Sequence, residues 1–280
     1  MLHQARSISP TIARLNTCPE TFTTRNRSVA TAETKKKQKT IAHVAPFGVF
    51  MSFLILSGAL ESLGFTVRDD DWPWYRSVPE QWLYPLQTIV TLLVLLYFRR
   101  HYDFSNCKSW WIGAVMGVVG IAFWIAPGYL FRVFEMEDSW LRHLGFAERI
   151  DGFDPTFIRE HSLFWYGCSV GMRIFRATVV VALAEELLWR GFLMRFLIDQ
   201  YGDYWKIPFG KFDWYSLGVI TAMFTFAHAP VDWPAAVIFG AMMYWVAVHT
   251  KSLCACVVMH AVANLLMCLY TLAFQQWGYW

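Results

Sequence analysis

The chain has 280 residues, of which 56% are apolar, 18% aromatic and only 16% charged, with 15 Trp. Soluble domains carry about 25% charge, so too little polar surface is available to cover a soluble fold of this length. The low charge also excludes a disordered chain, and a net charge of +3 forms no basic face for nucleic acid. The composition implies an all-α, polytopic transmembrane helical bundle.

Charge is uneven along the chain. Residues 1–40 hold eight Lys or Arg against Glu20 and Glu33. A secretory signal would show an apolar stretch of about 7–15 residues, and this segment shows none. Its acid-poor, Arg- and Ser-rich text resembles a transit peptide weakly; a disordered basic tail or an over-extended gene start is the expectation.

Apolar runs follow at 41–60, 82–98, 110–131, 163–198, 214–229, 233–249 and 253–274. Several reach the ~20 residues that cross a bilayer as a helix. Three transmembrane helices are expected in 41–131, an acidic extramembrane loop in 132–162, and a core in 163–274. The run 163–198 would measure about 54 Å as one helix, which predicts a break into an interfacial helix carrying Arg173 and Arg176 and a buried helix after it. The runs at 214–249 meet at Pro230 to Pro234 and read as a tight helical hairpin. Seven spans are expected, with eight as the alternative. Lys35 to Lys39, then Arg99, Arg100 and Lys108, mark one membrane side, and the acidic loops 61–81 and 132–160 mark the other. The bias of Lys and Arg toward the cytoplasm puts the N-terminus there.

Trp72, Trp74, Tyr75, Trp82, Trp277, Tyr279 and Trp280 cluster at run ends, as an interfacial belt does. Gly113, Gly117 and Gly120 form a stripe that lets helices approach closely, for packing within the bundle rather than dimerisation. Six cysteines, Cys18, Cys107, Cys168, Cys254, Cys256 and Cys268, are scattered. They suggest small apolar fillers rather than a disulfide framework, and Cys254-x-Cys256 lacks the second pair of a zinc site. No internal repeat suggests a transporter.

Ionisable groups inside a membrane cost at least ~2.5–3.5 kcal/mol each. Here they concentrate at Glu185-Glu186-x-x-x-Arg190, at Phe224-x-x-x-His228 and at His260-x-x-x-Asn264. Glu186 and Arg190 are four apart in the favourable order for an ion pair; Glu185 projects about 100° away. Adjacent buried carboxylates cannot both be cheaply ionised. With Arg190 holding Glu186 as the anion, Glu185 is left to exchange protons as a general base must. His260 and Asn264 share one face of an apolar helix and suit the holding of an oxyanion.

These three motifs, in this order on separate helices, resemble the CPBP family of intramembrane proteases: CAAX prenyl endopeptidases and bacteriocin-processing or self-immunity proteases. The resemblance covers roughly residues 163–274. Ala45-Pro46-Phe47 and the text from Glu186 to Leu193 further resemble the exosortase-associated bacterial branch. The resemblance implies an endopeptidase of membrane-associated or lipid-modified peptides in a bacterial inner membrane. Glu185 and His228 would activate water, Glu186 and Arg190 would orient Glu185, His260 and Asn264 would stabilise the oxyanion, and Phe224 would pack below His228. Each group then has a non-metal role, which favours no cofactor; zinc on Glu185, His228 and His260 is the alternative. A non-catalytic immunity or scaffolding protein with the same fold is the competing reading. Other intramembrane chemistries lack their signatures. No His precedes Glu, Gly202-Asp203 follows Gln200 instead of the required Gly, and Gly167-x-Ser169-x-Gly171 lies in a helical run rather than at a strand-to-helix elbow.

Overall fold

The computed structural model describes residues 19–63, 80–136, 139, 140, 147, 149 and 152–280. It divides into two compact units, Met1–Gln38 and Lys39–Trp280. In the first, the residues from Pro19 onward are helical. The reason is local: Ala30, Ala32, Glu33, Lys35, Lys36, Lys37 and Gln38 are mostly strong helix formers. Cys18, Trp72, Trp74, Tyr75 and the aspartates of loop 61–81 lie outside the described residues.

The described residues contain helices and no strand. The helices are α1 (Pro19–Ser62), whose residues from Lys39 belong to the second unit, α2 (Glu80–Tyr97), α3 (Trp110–Val133) and the short α4 (Thr156–His161). They are followed by α5 (Leu163–Phe196), α6 (Trp214–Phe226), α7 (Trp233–Thr250) and α8 (Leu253–Phe274). All seven apolar runs are therefore helical. Five helical stretches, Glu33–Leu60, Trp110–Val133, Leu163–Phe196, Pro230–Thr250 and Leu253–Phe274, are long and apolar enough to cross a membrane, and Trp82–Tyr97 and Trp214–Phe226 are shorter. Ile55, Leu93, Phe123, Phe164, Met223, Val237 and Leu269 are exposed, one on each of seven helices. Water would not tolerate apolar surface that extensive, and lipid does.

The expected break in 163–198 does not occur. α5 continues as one helix, with π turns at Arg176–Val181 and Leu187–Leu193 on either side of the α turn Ala182–Glu186. Each π turn inserts a residue without ending the helix, so the length is absorbed by over-wide turns. Helix ends follow local chemistry. Ser162 Oγ accepts from Trp165 N, Asp213 Oδ1 from Ser216 N and Ser252 Oγ from Ala255 N, satisfying amides a helix start leaves orphaned. α6 and α7 pack together across the Pro230–Asp232 turn as the expected hairpin.

α8 lies against α3 along the glycine stripe. A Cβ on Gly113 would strike the carbonyl of Ala255, one on Gly117 would come within 2.6 Å of Met259 O, and one on Gly120 within 2.7 Å of the Phe239 ring. The stripe serves packing inside the bundle. One cysteine expectation is corrected: Cys107 and Cys254 form a disulfide with Cα atoms 5.3 Å apart, joining positions 147 residues apart in sequence. Such a pairing is a product of tertiary packing and leaves no spacing signature. Cys256 and Cys268 are buried fillers as expected, and Cys168 is exposed.

Candidate active site

α5 carries the acidic residues on a stretch buried on most sides. Glu186 and Arg190 are fully buried and joined by Arg190 Nη1 donating to Glu186 Oε1 at 3.0 Å. His260 of α8 approaches the same oxygen, with Nδ1 2.9 Å from Glu186 Oε1. One carboxylate oxygen therefore ties α5 to α8. Arg190 also reaches Gly240 O at 3.4 Å and lies 5.4 Å from the Phe224 ring centre. Gly240 permits this crowding, since a Cβ there would lie 3.3 Å from Phe224. Among the described residues, Glu186 Oε2 and Arg190 Nε have no hydrogen-bond partner.

Above this pair lies a cavity of about 280 Å³. Glu185 from α5, Phe224 and His228 from α6 and its exit, and His260 and Asn264 from α8 all line it. Five of the seven expected site residues thus share one cavity; Glu186 and Arg190 do not line it and instead brace it from beneath. Trp189 Nε1 donates to Glu185 Oε2 at 3.2 Å. His228 Nδ1 lies 2.7 Å from Phe224 O. A carbonyl only accepts, so Nδ1 carries a proton, and Nε2 of a neutral ring is then an acceptor. The Phe224 ring is 4.6 Å from the His228 ring, one turn below it as expected. Asn264 Nδ2 donates to Ala177 O at 2.9 Å, a carbonyl inside the first π turn, which leaves its second N–H and its oxygen for other partners.

Several residues around the cavity were not anticipated. Trp189 was legible in principle, four positions after Glu185. Trp124 of α3 packs edge-on against both His228 and Phe239, at 5.2 and 5.6 Å, and nothing local announces it. Arg173 and Arg176, expected on an interfacial helix, line the cavity instead. Arg173 is buried, its guanidinium 3.6 Å from the Phe153 ring centre. Arg176 Nη1 donates to Gln87 Oε1 at 2.9 Å. The unbroken α5 carries them inward. At the far wall, Arg149 forms an ion pair with Asp232 and stacks 4.1 Å over Tyr279, whose phenol burial pushes up from its usual range.

Among the described residues, no three His, Cys, Asp or Glu side chains are grouped as metal ligands would be. Glu185, His228 and His260 share the cavity, and His260 Nδ1 meets Glu186. Gly167-x-Ser169-x-Gly171 lies mid-helix in α5, so it makes no nucleophile elbow.

No curated protein and no solved structure matches the chain. Residues 169–266 match the family model described as Type II CAAX prenyl endopeptidase Rce1-like, a stretch that contains all three motifs and the α5, α6 and α8 residues gathered around the cavity. With its apolar bundle this is an integral membrane protein, and its residues 169–266 are similar to the Rce1-like family, consistent with a CPBP intramembrane protease.

Proposed function

We propose that the protein is an intramembrane endopeptidase that hydrolyses a peptide bond of a membrane-associated or lipid-modified substrate with a water activated at Glu185. The reading is carried by one observation: Glu185, His228, His260 and Asn264, from distant positions, line a single cavity over a fully buried Glu186–Arg190 pair.

The two histidines have different tasks because their Nδ1 partners differ. His228 faces a carbonyl through Nδ1, so its Nε2 accepts a hydrogen bond from water and holds that water for Glu185. His260 faces the Glu186 carboxylate through Nδ1, and as an imidazolium it offers its Nε2–H to the oxyanion. Glu185, oriented by Trp189, takes one proton from the water as its oxygen attacks the scissile carbonyl. The tetrahedral oxyanion is held by His260 and the remaining Asn264 N–H. Glu185 then returns the proton to the leaving amine, so one water is consumed and one acid and one amine are formed. Apolar walls, including Trp124 and Phe239, keep bulk water away and strengthen these contacts. A helical substrate has to unwind before its carbonyl can enter.

The test uses the full chain in membranes with a panel of peptides, plain and C-terminally lipidated, and mass spectrometry of the new termini in ¹⁸O-labelled water. The wild type should place one label in the new carboxylate. Glu185→Gln should lose turnover by about 10²–10⁴-fold while inserting and folding normally. Undiminished cleavage by that variant removes the mechanism.

A further inference from the structure

A second pocket, of about 70 Å³, opens at another place in the Lys39–Trp280 unit. Three basic side chains line it: Lys39 of α1, Arg195 near the end of α5 and Lys251 in the α7–α8 turn. They face one carboxylate, Asp103, whose acidity two hydrogen bonds from Ser105 increase. Among the described residues, no ion pair within 4 Å joins Asp103 to any of them.

Arg195 is the telling residue. Its guanidinium sits 5.4 Å from the ring centres of both Trp205 and Phe209. Among the described residues it donates no hydrogen bond, and its Nε is buried without an acceptor. His101 Nδ1, in the same wall, is also buried without a partner. A planar fork of unused donors held by aromatic faces is a receptor for an oxyanion. Lys251 spends one donor on Gly210 O, and three donors on its ammonium leave it able to serve a second acceptor.

The walls are fixed before any ligand arrives. Asn106 Nδ2 donates to Lys251 O at 3.1 Å, Ser252 Oγ donates back to Asn106 O, and Cys107–Cys254 closes the same seam. The floor is Gly191, where a Cβ would lie 2.9 Å from the His43 ring. Preorganised donors bind without paying for ordering. The cations also stand at helix ends: Arg195 one residue before the end of Leu163–Phe196, and Lys251 between Pro230–Thr250 and Leu253–Phe274. Helix ends of a spanning bundle sit at headgroup depth.

We infer that this pocket binds the phosphate group of an anionic phospholipid at the membrane surface. Its volume of about 70 Å³ suits one compact oxyanion and leaves no room for a peptide. A basic recess between helix ends is the setting in which charged lipid headgroups are held. The site is independent of the chemistry at Glu185. A free phosphate ion presents the same oxygens, and the experiment separates the two sources.

The full chain in neutral detergent is unfolded by heat with added phosphatidylglycerol, with diacylglycerol that lacks phosphate, or with inorganic phosphate alone. Phosphatidylglycerol should raise the unfolding midpoint by several degrees and diacylglycerol should not. Arg195→Gln should weaken the half-saturating lipid concentration by about 10-fold or more, the equivalent of one charge-assisted hydrogen bond. Lys251→Gln, on an exposed turn, should weaken it less, and it carries the test if the Arg195 variant does not fold. A shift by inorganic phosphate alone that Arg195→Gln abolishes supports the phosphate site with a soluble ion as its occupant. No shift with either phosphate source, an equal shift with diacylglycerol, or undiminished lipid affinity in both variants overturns the inference.

Discussion

Glu186 is the residue on which the site turns, because a single carboxylate oxygen serves both Arg190 and His260. Removing one partner of a buried pair leaves an uncompensated charge and costs about 3–5 kcal/mol. Arg190→Gln should therefore lower the thermal unfolding midpoint sharply. The double variant Glu186→Gln with Arg190→Met should recover part of that loss, as scanning of the two proteins side by side will show. The histidines should separate in kinetics. In the proposed mechanism His260→Gln removes an oxyanion donor, and it should lower kcat by about 10²–10³-fold with little change in KM. The identity of these residues was legible because an ionisable side chain in an apolar run is expensive and therefore conspicuous. The distinction between the two imidazoles was not, since it depends on which acceptor each Nδ1 meets.

At the scale of helices, α5 shows how local pattern and tertiary demand diverge. Its length suggested a break, and the chain instead accommodates it in two π turns flanking Ala182–Glu186. Hydrophobic periodicity cannot foresee this, since one inserted residue barely alters an apolar run. The α3 stripe is the opposite case, where glycine spacing alone announced close packing. Gly113→Ala forces a methyl group into the Ala255 backbone and should cost about 1–3 kcal/mol. Gly218→Ala on α6, where a Cβ meets nothing within 4 Å, should instead be stabilising by about 0.5–1 kcal/mol. Unfolding midpoints of the two variants should move in opposite directions. The seam at the start of α8 supplies another test. Cys254→Ser releases a very long closed loop and should cost about 2–4 kcal/mol, and reductant should destabilise the wild type without affecting that variant.

For the molecule as a whole, the seven apolar helices among the described residues, with exposed aliphatic and aromatic faces, make the membrane the solvent. Lys206 follows Trp205, whose ring centre lies 4.5 Å from Lys39 Nζ, at the end of the bundle that carries Lys39, and Glu160 precedes α5 at the opposite end. If the Lys and Arg bias sets orientation, an impermeant thiol reagent applied to intact cells should label Glu160→Cys. It should reach Lys206→Cys only after the membrane is opened.

The sequence by itself determined the bundle, its apolar helices and the chemical groups of the site, because lipid forces backbone hydrogen bonds inward and makes each buried charge stand out. Only the tertiary structure decided that Glu186 is shared between α5 and α8, that Arg173 and Arg176 line the cavity, and that Cys107 meets Cys254. Those contacts join residues far apart along the chain. They arise from how helices pack, a quantity that no local spacing encodes.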